Sequence, residues 1–218
     1  MKRAIIAGAS GLIGSHLLQI ILNENGYDEV LILVRKELPF QHKKLKQLVV
    51  DYANLKDYAE QLKGDAIFCC LGTTRKNTPD ETEYRKIDHD YPLQLAQIAK
   101  QNNTAQYHLV SAASANTSSK VFYSRLKGET EDDITKVGLS SLHMYRPMLL
   151  TGNRKETRLG EGIATAIFKI LDPILIGSLK KYRSIAGETV AKTMYKQSLK
   201  NESGVFIYRS DKIQELAR

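Results

Sequence analysis

The sequence has no tryptophan, only two cysteines and five prolines, and no uninterrupted apolar run of bilayer length. Each shortage removes a class of protein. Cys69 and Cys70 are adjacent inside an apolar run, where a disulfide would close a strained ring and a zinc ion would lack further ligands. A disulfide scaffold is therefore excluded, no metal is expected, and both cysteines read as reduced strand residues. The sparse proline, with 14 scattered glycines, excludes collagen and low-complexity disorder. The most apolar late stretch, Ile163 to Leu179, is broken by Lys169, Asp172 and Pro173 and reads as an amphipathic helix and a turn, so no membrane partner is expected. The opening Met1-Lys2-Arg3-Ala4-Ile5-Ile6-Ala7-Gly8 brings glycine too early for a signal-peptide core, and a cytoplasmic protein is expected.

What is present suits one globular domain: 218 residues, 42% hydrophobic and 26% charged, enough to bury a core and a cofactor cleft. Lysine and arginine number 32 against 24 acids, a net charge of +8. The cations fall in short clusters such as Lys43, Lys44 and Lys46, with no long basic run, so no specific nucleic-acid site is expected. A phosphorylated small ligand suits the charge equally well.

Apolar, β-branched runs alternate with helix-period segments through the first two thirds, the pattern of a doubly wound parallel α/β sheet, a Rossmann fold. Strands are predicted at Arg3 to Ala7, Glu29 to Val34, Gln47 to Val50, Asp65 to Leu71, Tyr107 to Ser111, Leu142 to Arg146 and Val205 to Tyr208. Helices are predicted at Leu12 to Leu22, Leu55 to Leu62, Asp88 to Gln101 and Ser118 to Val137. Beyond Pro147 the alternation loosens, with no clear strand over Gly152 to Ser184. The chain is read as a single domain, 1–218, in which residues 150–204 form a small substrate-side lobe.

The strongest local signal is Gly8-Ala9-Ser10-Gly11-Leu12-Ile13-Gly14, directly after the first strand and opening the first helix. Gly8 allows the tight turn, Gly11 lets a pyrophosphate approach the backbone, and Gly14 lets helix and strand pack closely. Free amides at the helix start then face the anion, and Ser10 adds a hydroxyl donor. The spacing is GxxGxxG, as in the short-chain dehydrogenase/reductase superfamily, which it resembles. At the tip of the second strand, where an acid would select NAD, stand Arg35 and Lys36, so NADP (as NADPH) is the expected cofactor. Asp51, after the third strand, reads either as an adenine contact or as a helix cap.

Tyr123 and Lys127 lie four apart on one predicted helix, on one face. The motif also occurs at Tyr52 with Lys56 and Tyr208 with Lys212, so location must choose. Only Tyr123 lies on the helix after the strand that ends in Ser111, across the cleft from the glycine loop. A neighbouring ammonium lowers a tyrosine's pKa from its usual value of about 10, which suits proton exchange with a carbonyl or alcohol oxygen. Lys127 could also hold the nicotinamide ribose. Ser111, with Ser114 as the other candidate, would polarise the substrate oxygen, although alanines occupy 112 and 113.

The run Cys69-Cys70-Leu71-Gly72-Thr73-Thr74-Arg75, Ser111, Tyr123 to Glu129, Arg146-Pro147 and Arg158 together resemble the Tat-interacting protein 2 (oxidoreductase) family of atypical short-chain dehydrogenase/reductases. The resemblance spans about Ala4 to Arg158. It implies NADPH binding at Ser10 to Ile13, Arg35, Lys36, Leu71, Gly72, Tyr123, Lys127, Leu150 and Arg158, with Thr73 in the small-residue run against which the cofactor would lie. The expectation is an NADP(H)-dependent oxidoreductase acting on a carbonyl or quinone-like small molecule; the alternative is an NADPH-binding redox sensor with little turnover. A sugar-nucleotide epimerase is disfavoured by the short region beyond residue 150. Helices such as Asp88 to Gln101 and Ser118 to Val137 often pair across a two-fold, which leaves a homodimer open.

Overall fold

The computed structural model describes residues 1–151 and 183–218. Arg158 and the Ile163 to Leu179 stretch lie outside the described residues. The first strands are β1 (Arg3–Ala7), β2 (Glu29–Val34), β3 (Leu45–Val49), β4 (Ala66–Cys69), β5 (Gln106–Val110) and β6 (Ser141–Arg146). A short parallel pair, β7 (Leu150–Thr151) with β8 (Ile185–Ala186), stands apart, and β9 (Gly204–Arg209) completes the main sheet. That sheet has seven strands in the order β3-β2-β1-β4-β5-β6-β9, with each neighbouring pair parallel. The predicted doubly wound α/β architecture is the observed one, and β1 and β2 have the bounds read from the sequence.

Helices cover both faces of the sheet. On one face lie α1 (Leu12–Asn23), α5 (Gly187–Ser198) and α6 (Ser210–Leu216), whose Leu17, Ile21, Val190, Met194 and Ile213 are buried against Ile6, Ile32 and Phe68. On the other lie a 3-10 segment (Tyr52–Gln61), α3 (Tyr91–Gln101) and α4 (Phe122–Lys136), burying Leu55, Leu95, Ala99 and Ile134 against Ile5, Ile67 and Leu109. Within the stretch expected on the substrate side, α5 packs directly on α1: Gly187 abuts Leu12, and the Tyr195 hydroxyl accepts from Gly26 N–H at 3.1 Å.

Several predicted bounds move for local reasons. The helix expected from Leu55 begins at Tyr52 as a 3-10 segment because the Asp51 carboxylate caps it, accepting from Ala53 N–H. The helix expected from Ser118 begins at Phe122. Before it, Asn116 and Ser119 turn the chain with their own side chains, accepting from the amides of Ser118 and Val121. The helix expected from Asp88 starts earlier, as α2 (Glu81–Arg85), and passes through a π-helical turn (Lys86–Asp90) into α3. That turn widens the spiral by one residue, a distortion that recurs at functional sites.

One face of the sheet carries an unusual ladder. Phe68, His108, His143 and Phe206 stand in register on β4, β5, β6 and β9, and their rings stack at 4.7, 4.5 and 4.8 Å. Both imidazoles are fully buried and hydrogen-bonded at each nitrogen, His108 to Tyr145 and Gln106, His143 to Ser141 and Tyr208. Burial holds His108 well below its ordinary value of 6.5, helped by His143, and brings His143 down to about 4, helped by Lys200. Both are neutral in the folded chain. A folded-state value below the unfolded one means stability that is complete above pH 6.5 and lost as the pH falls toward 4, because only the unfolded chain takes up those protons. The urea midpoint should be level between pH 6.5 and about 8, before the buried thiols begin to matter, and should decline below pH 6.5, with each histidine contributing about 1.4 kcal/mol per pH unit. His143→Asn should make that decline shallower; an unchanged slope would show that the imidazole does not control it.

Candidate cofactor and active site

The order β3-β2-β1-β4 reverses direction between β1 and β4, and ligands of such sheets bind in the crevice at that switch point, beyond the carboxyl ends of the strands. The glycine turn occupies it. Gly8 has φ of +86°, and a Cβ there would lie 2.6 Å from the Cys70 carbonyl oxygen beyond β4. A Cβ on Gly14 would overlap the Gly8 carbonyl. Gly11 caps α1 with no side-chain hydrogen bond, and the first helical bond runs from Ser15 N–H to Gly11 O at 2.9 Å. The amides of Leu12, Ile13 and Gly14 are thus left at the helix mouth, with Ser10 and Gly11 exposed beside them. This bare backbone cradle fits a pyrophosphate, since any side chain there would fill the space the phosphates need.

Arg35 and Lys36 are exposed at the tip of β2, within the same carboxyl edge. Both Asp51 carboxylate oxygens have partners, Oδ1 accepting from Ala53 N–H and Oδ2 from Asn54 Nδ2. Leu71 is half-buried against the aliphatic core and Gly72 is exposed. Leu150 lies in β7, half-buried against the α1 side of the core.

The predicted Tyr123 and Lys127 pair lies on α4. Tyr123 is 38% exposed near its start, whereas Lys127, one turn on, is buried. Lys127 Nζ lies 2.8 Å from Asp88 Oδ1 in the π turn, and Asp88 Oδ2 accepts from Thr73 N–H at 2.8 Å. The Asp88 main-chain carbonyl accepts from Thr130 Oγ1 at 3.0 Å. One carboxylate therefore ties the loop after β4 to α4. Burial draws the lysine downward, but Asp88, and after it Tyr123, more than offset this and hold the ammonium above its ordinary range. Burial pushes the nearby Cys69 thiol up, which leaves it inert at neutral pH.

Other contacts hold the same helix. The Arg75 guanidinium sits 5.4 Å above the Phe122 ring, which meets Tyr84 edge-on at 5.7 Å, and the Tyr84 hydroxyl donates to Thr73 O. Thr73 Oγ1 is 2.8 Å from Thr78 Oγ1, so Thr73 serves the loop's own structure. Gly128 has no room for a Cβ beneath the backbone of Asn116 and Thr117, so the loop after β5 lies flat on α4. Ser111 follows β5 with its Oγ buried and without a partner, while Ser114 is exposed on that loop. Sequence reasoning singled out Tyr123, Lys127 and the glycine turn. It missed Asp88, which as an acid at a helix start reads as a cap, and it missed the Arg75, Phe122 and Tyr84 stack.

A family model described as NAD(P)H-binding matches residues 8–154. The chain belongs to that NAD(P)H-binding family. Protein HTATIP2 of Rattus norvegicus is 36% identical over 171 residues, 77% of this chain and 70% of the rat protein, which makes the chain an atypical short-chain dehydrogenase/reductase similar to HTATIP2. Protein FMP52, mitochondrial, of Candida albicans is 32% identical over 168 residues, 74% of this chain and 73% of that protein. Among solved structures, Bordetella bronchiseptica WbmH in complex with NAD+ superposes with a TM-score of 0.73 at 17% identity, over all of this chain and 79% of that one. The UDP-N-acetylglucosamine 4-epimerase of Methanobrevibacter ruminantium reaches 0.69 at 17% identity, over 95% of this chain and 76% of that one. At such identities these two share the fold.

The cradle's dependence on glycine can be weighed at two positions. Gly8 and Gly138 both have positive φ, but a Cβ on Gly138 would meet nothing within 4 Å. Gly138→Ala should cost only the backbone strain, about 1–2 kcal/mol. Gly8→Ala should cost clearly more in the same urea titration, because its methyl group meets the main chain of Cys70 and Leu71 just beyond β4. Equal losses would show that the approach of the turn to β4 is not tight.

Proposed function

We propose that this member of the NAD(P)H-binding family is an NADP(H)-dependent oxidoreductase that reduces a carbonyl or quinone-like small molecule, with Tyr123 as proton donor. The observation that carries the reading is that Lys127 of the Tyr123 helix is bound, through Asp88, to the loop beside the glycine turn. That chain of contacts supports the reading that the pair and the cradle serve one crevice. Nicotinamide, when bound, supplies the hydride. The chain's own part is to receive the diphosphate on the first amides of α1, to hold the 2′-phosphate between Arg35 and Lys36, and to give the Tyr123 proton to the oxygen being reduced. An ammonium has three donors, and Asp88 Oδ1 uses one, so Lys127 retains donors for ribose hydroxyls.

A second reading rests on Ser111. Its hydroxyl is enclosed and unpaired, not open to a substrate oxygen, and residues 112 and 113 are alanines. That favours an NADPH-binding redox sensor with little turnover, which would bind the nucleotide tightly and react with no member of a carbonyl panel. The reading takes the chain as one domain and the cytoplasm as its compartment; fungal relatives carry mitochondrial names.

Two measurements test the main reading. Tyr123→Phe should abolish NADPH consumption with a carbonyl panel while calorimetric NADPH binding is retained; unchanged turnover would remove Tyr123 from the chemistry. Arg35→Ala combined with Lys36→Ala should weaken NADPH binding by roughly 10- to 100-fold, the range expected for charge-assisted hydrogen bonds, and leave NADH binding nearly unaltered. An equal loss for both nucleotides would reject selection by the 2′-phosphate.

A further inference from the structure

Gln47 is a polar residue on β3 that neither the packing of the sheet nor the proton transfer described above employs. It shares a sheet face with Leu45, which is buried in the core beneath α1, and it is itself half-buried. Its side-chain amide turns to the segment that crosses from β2 to β3. Oε1 accepts from Leu38 N–H at 2.9 Å, and Nε2 donates to the carbonyls of Leu38 at 3.1 Å and Phe40 at 3.3 Å. One amide thus satisfies main-chain groups that a helix or strand would otherwise pair. Pro39 stands between the two clamped residues with its φ fixed, and the Leu38 and Phe40 side chains pack on the core below.

The clamp lies just past the tip of β2. Before the tip, the chain is fixed by the bond from Val50 N–H to Val34 O at 2.9 Å and by the Tyr52 hydroxyl, which donates to Leu33 O at 3.0 Å. After it, Leu38 is held at both its amide and its carbonyl. Arg35, Lys36 and Glu37 form the span between those fixed points, and all three are exposed. Among the described residues, no hydrogen bond or ion pair engages the Arg35 or Lys36 side chain. Their direction is therefore set by the main chain that carries them.

We propose that Gln47 is a specificity-determining positioning residue: by clamping Leu38 and Phe40 it holds the Arg35 and Lys36 span in place before a nucleotide arrives, and so raises the preference for a dinucleotide bearing a 2′-phosphate. This rests on the reading of Arg35 and Lys36 as the holders of that phosphate and deepens it. A span that is already held loses less conformational freedom on binding, which is how preorganisation raises affinity. Without the clamp the ligand itself must order the two cations, and only the nucleotide that engages them bears that cost. The amides at the start of α1 do not depend on Gln47, so the affinity common to both nucleotides should remain.

The test uses Gln47→Met, which keeps the length of the side chain and removes its donors and its carbonyl acceptor. Two quantities are read: calorimetric Kd values for NADPH and NADH, and hydrogen exchange at the Leu38 amide in the cofactor-free protein. In the wild-type chain that amide should exchange at least about 10-fold more slowly than in an unfolded peptide, and absence of protection would overturn the proposal even if no variant folds. In Gln47→Met the protection should be lost and the preference for NADPH over NADH should fall by about 5-fold or more, with NADH affinity kept within about twofold. Lost protection with the preference intact, or an equal loss for both nucleotides, would make Gln47 a structural residue only and overturn the proposal; retained protection would show that another group holds Leu38 and do the same. A wild-type chain with no preference for NADPH would remove the 2′-phosphate reading together with this proposal, whereas a preference that survives in Gln47→Met removes this proposal alone.

Discussion

A backbone-to-backbone approach at the middle of the sheet sets the remainder of the site. β1 and β4 are neighbours, Cys70 N–H donates to Ala7 O at 2.8 Å, and the next residue, Gly8, turns away beneath the Cys70 carbonyl with no space for a methyl group. That contact opens α1 toward the crevice and brings the Gly72 to Thr73 loop alongside. The loop in turn receives Asp88, and Asp88 fixes Lys127. The sequence of contacts from glycine turn to α4 therefore runs through main-chain atoms, one buried carboxylate and the Lys127 ammonium that it holds.

The two faces of the sheet hold together by different chemistry. Beneath α3 and α4 the packing is aliphatic, with Ile5, Leu33, Ile67 and Leu109 meeting Leu95, Ala99 and Ile134. Beneath α1, α5 and α6 it includes stacked rings whose polar edges are all satisfied within the stack, from Gln106 to Tyr208. Satisfied polar groups of this kind cost little while they stay neutral, and become expensive once protonated without a counter-charge. α4 rests on the aliphatic face, so the Lys127 and Asp88 pair is separated by the sheet from the imidazoles.

Much of this was legible because parallel strands buried on both faces read as unbroken apolar runs, which is why Arg3–Ala7 and Glu29–Val34 came out with their true ends. Edge strands were less clear. β3 carries exposed Lys46 and β9 exposed Val205 and Ile207, so their periods blur and their ends shift. α2 was unread because only Tyr84 among its residues is buried, which gives no helical period. α5 went unnoticed because threonine, tyrosine and glutamine form much of its buried face. The glycine turn and the Tyr123 and Lys127 pair were visible through spacing. Asp88 was not, since a sequence does not tell an acid that caps a helix from one that faces inward across a π turn.

The small pair β7 and β8 has a consequence for how such a protein diversifies. Leu150 and Ile185 are partners, so the chain departs from and returns to the cradle side at two adjacent, hydrogen-bonded points. Because that junction is held by main-chain hydrogen bonds, the side chains of Leu150 and Ile185 can change without removing the donors and acceptors that pair the two strands, and the backing of α1 is kept while sequence drifts there.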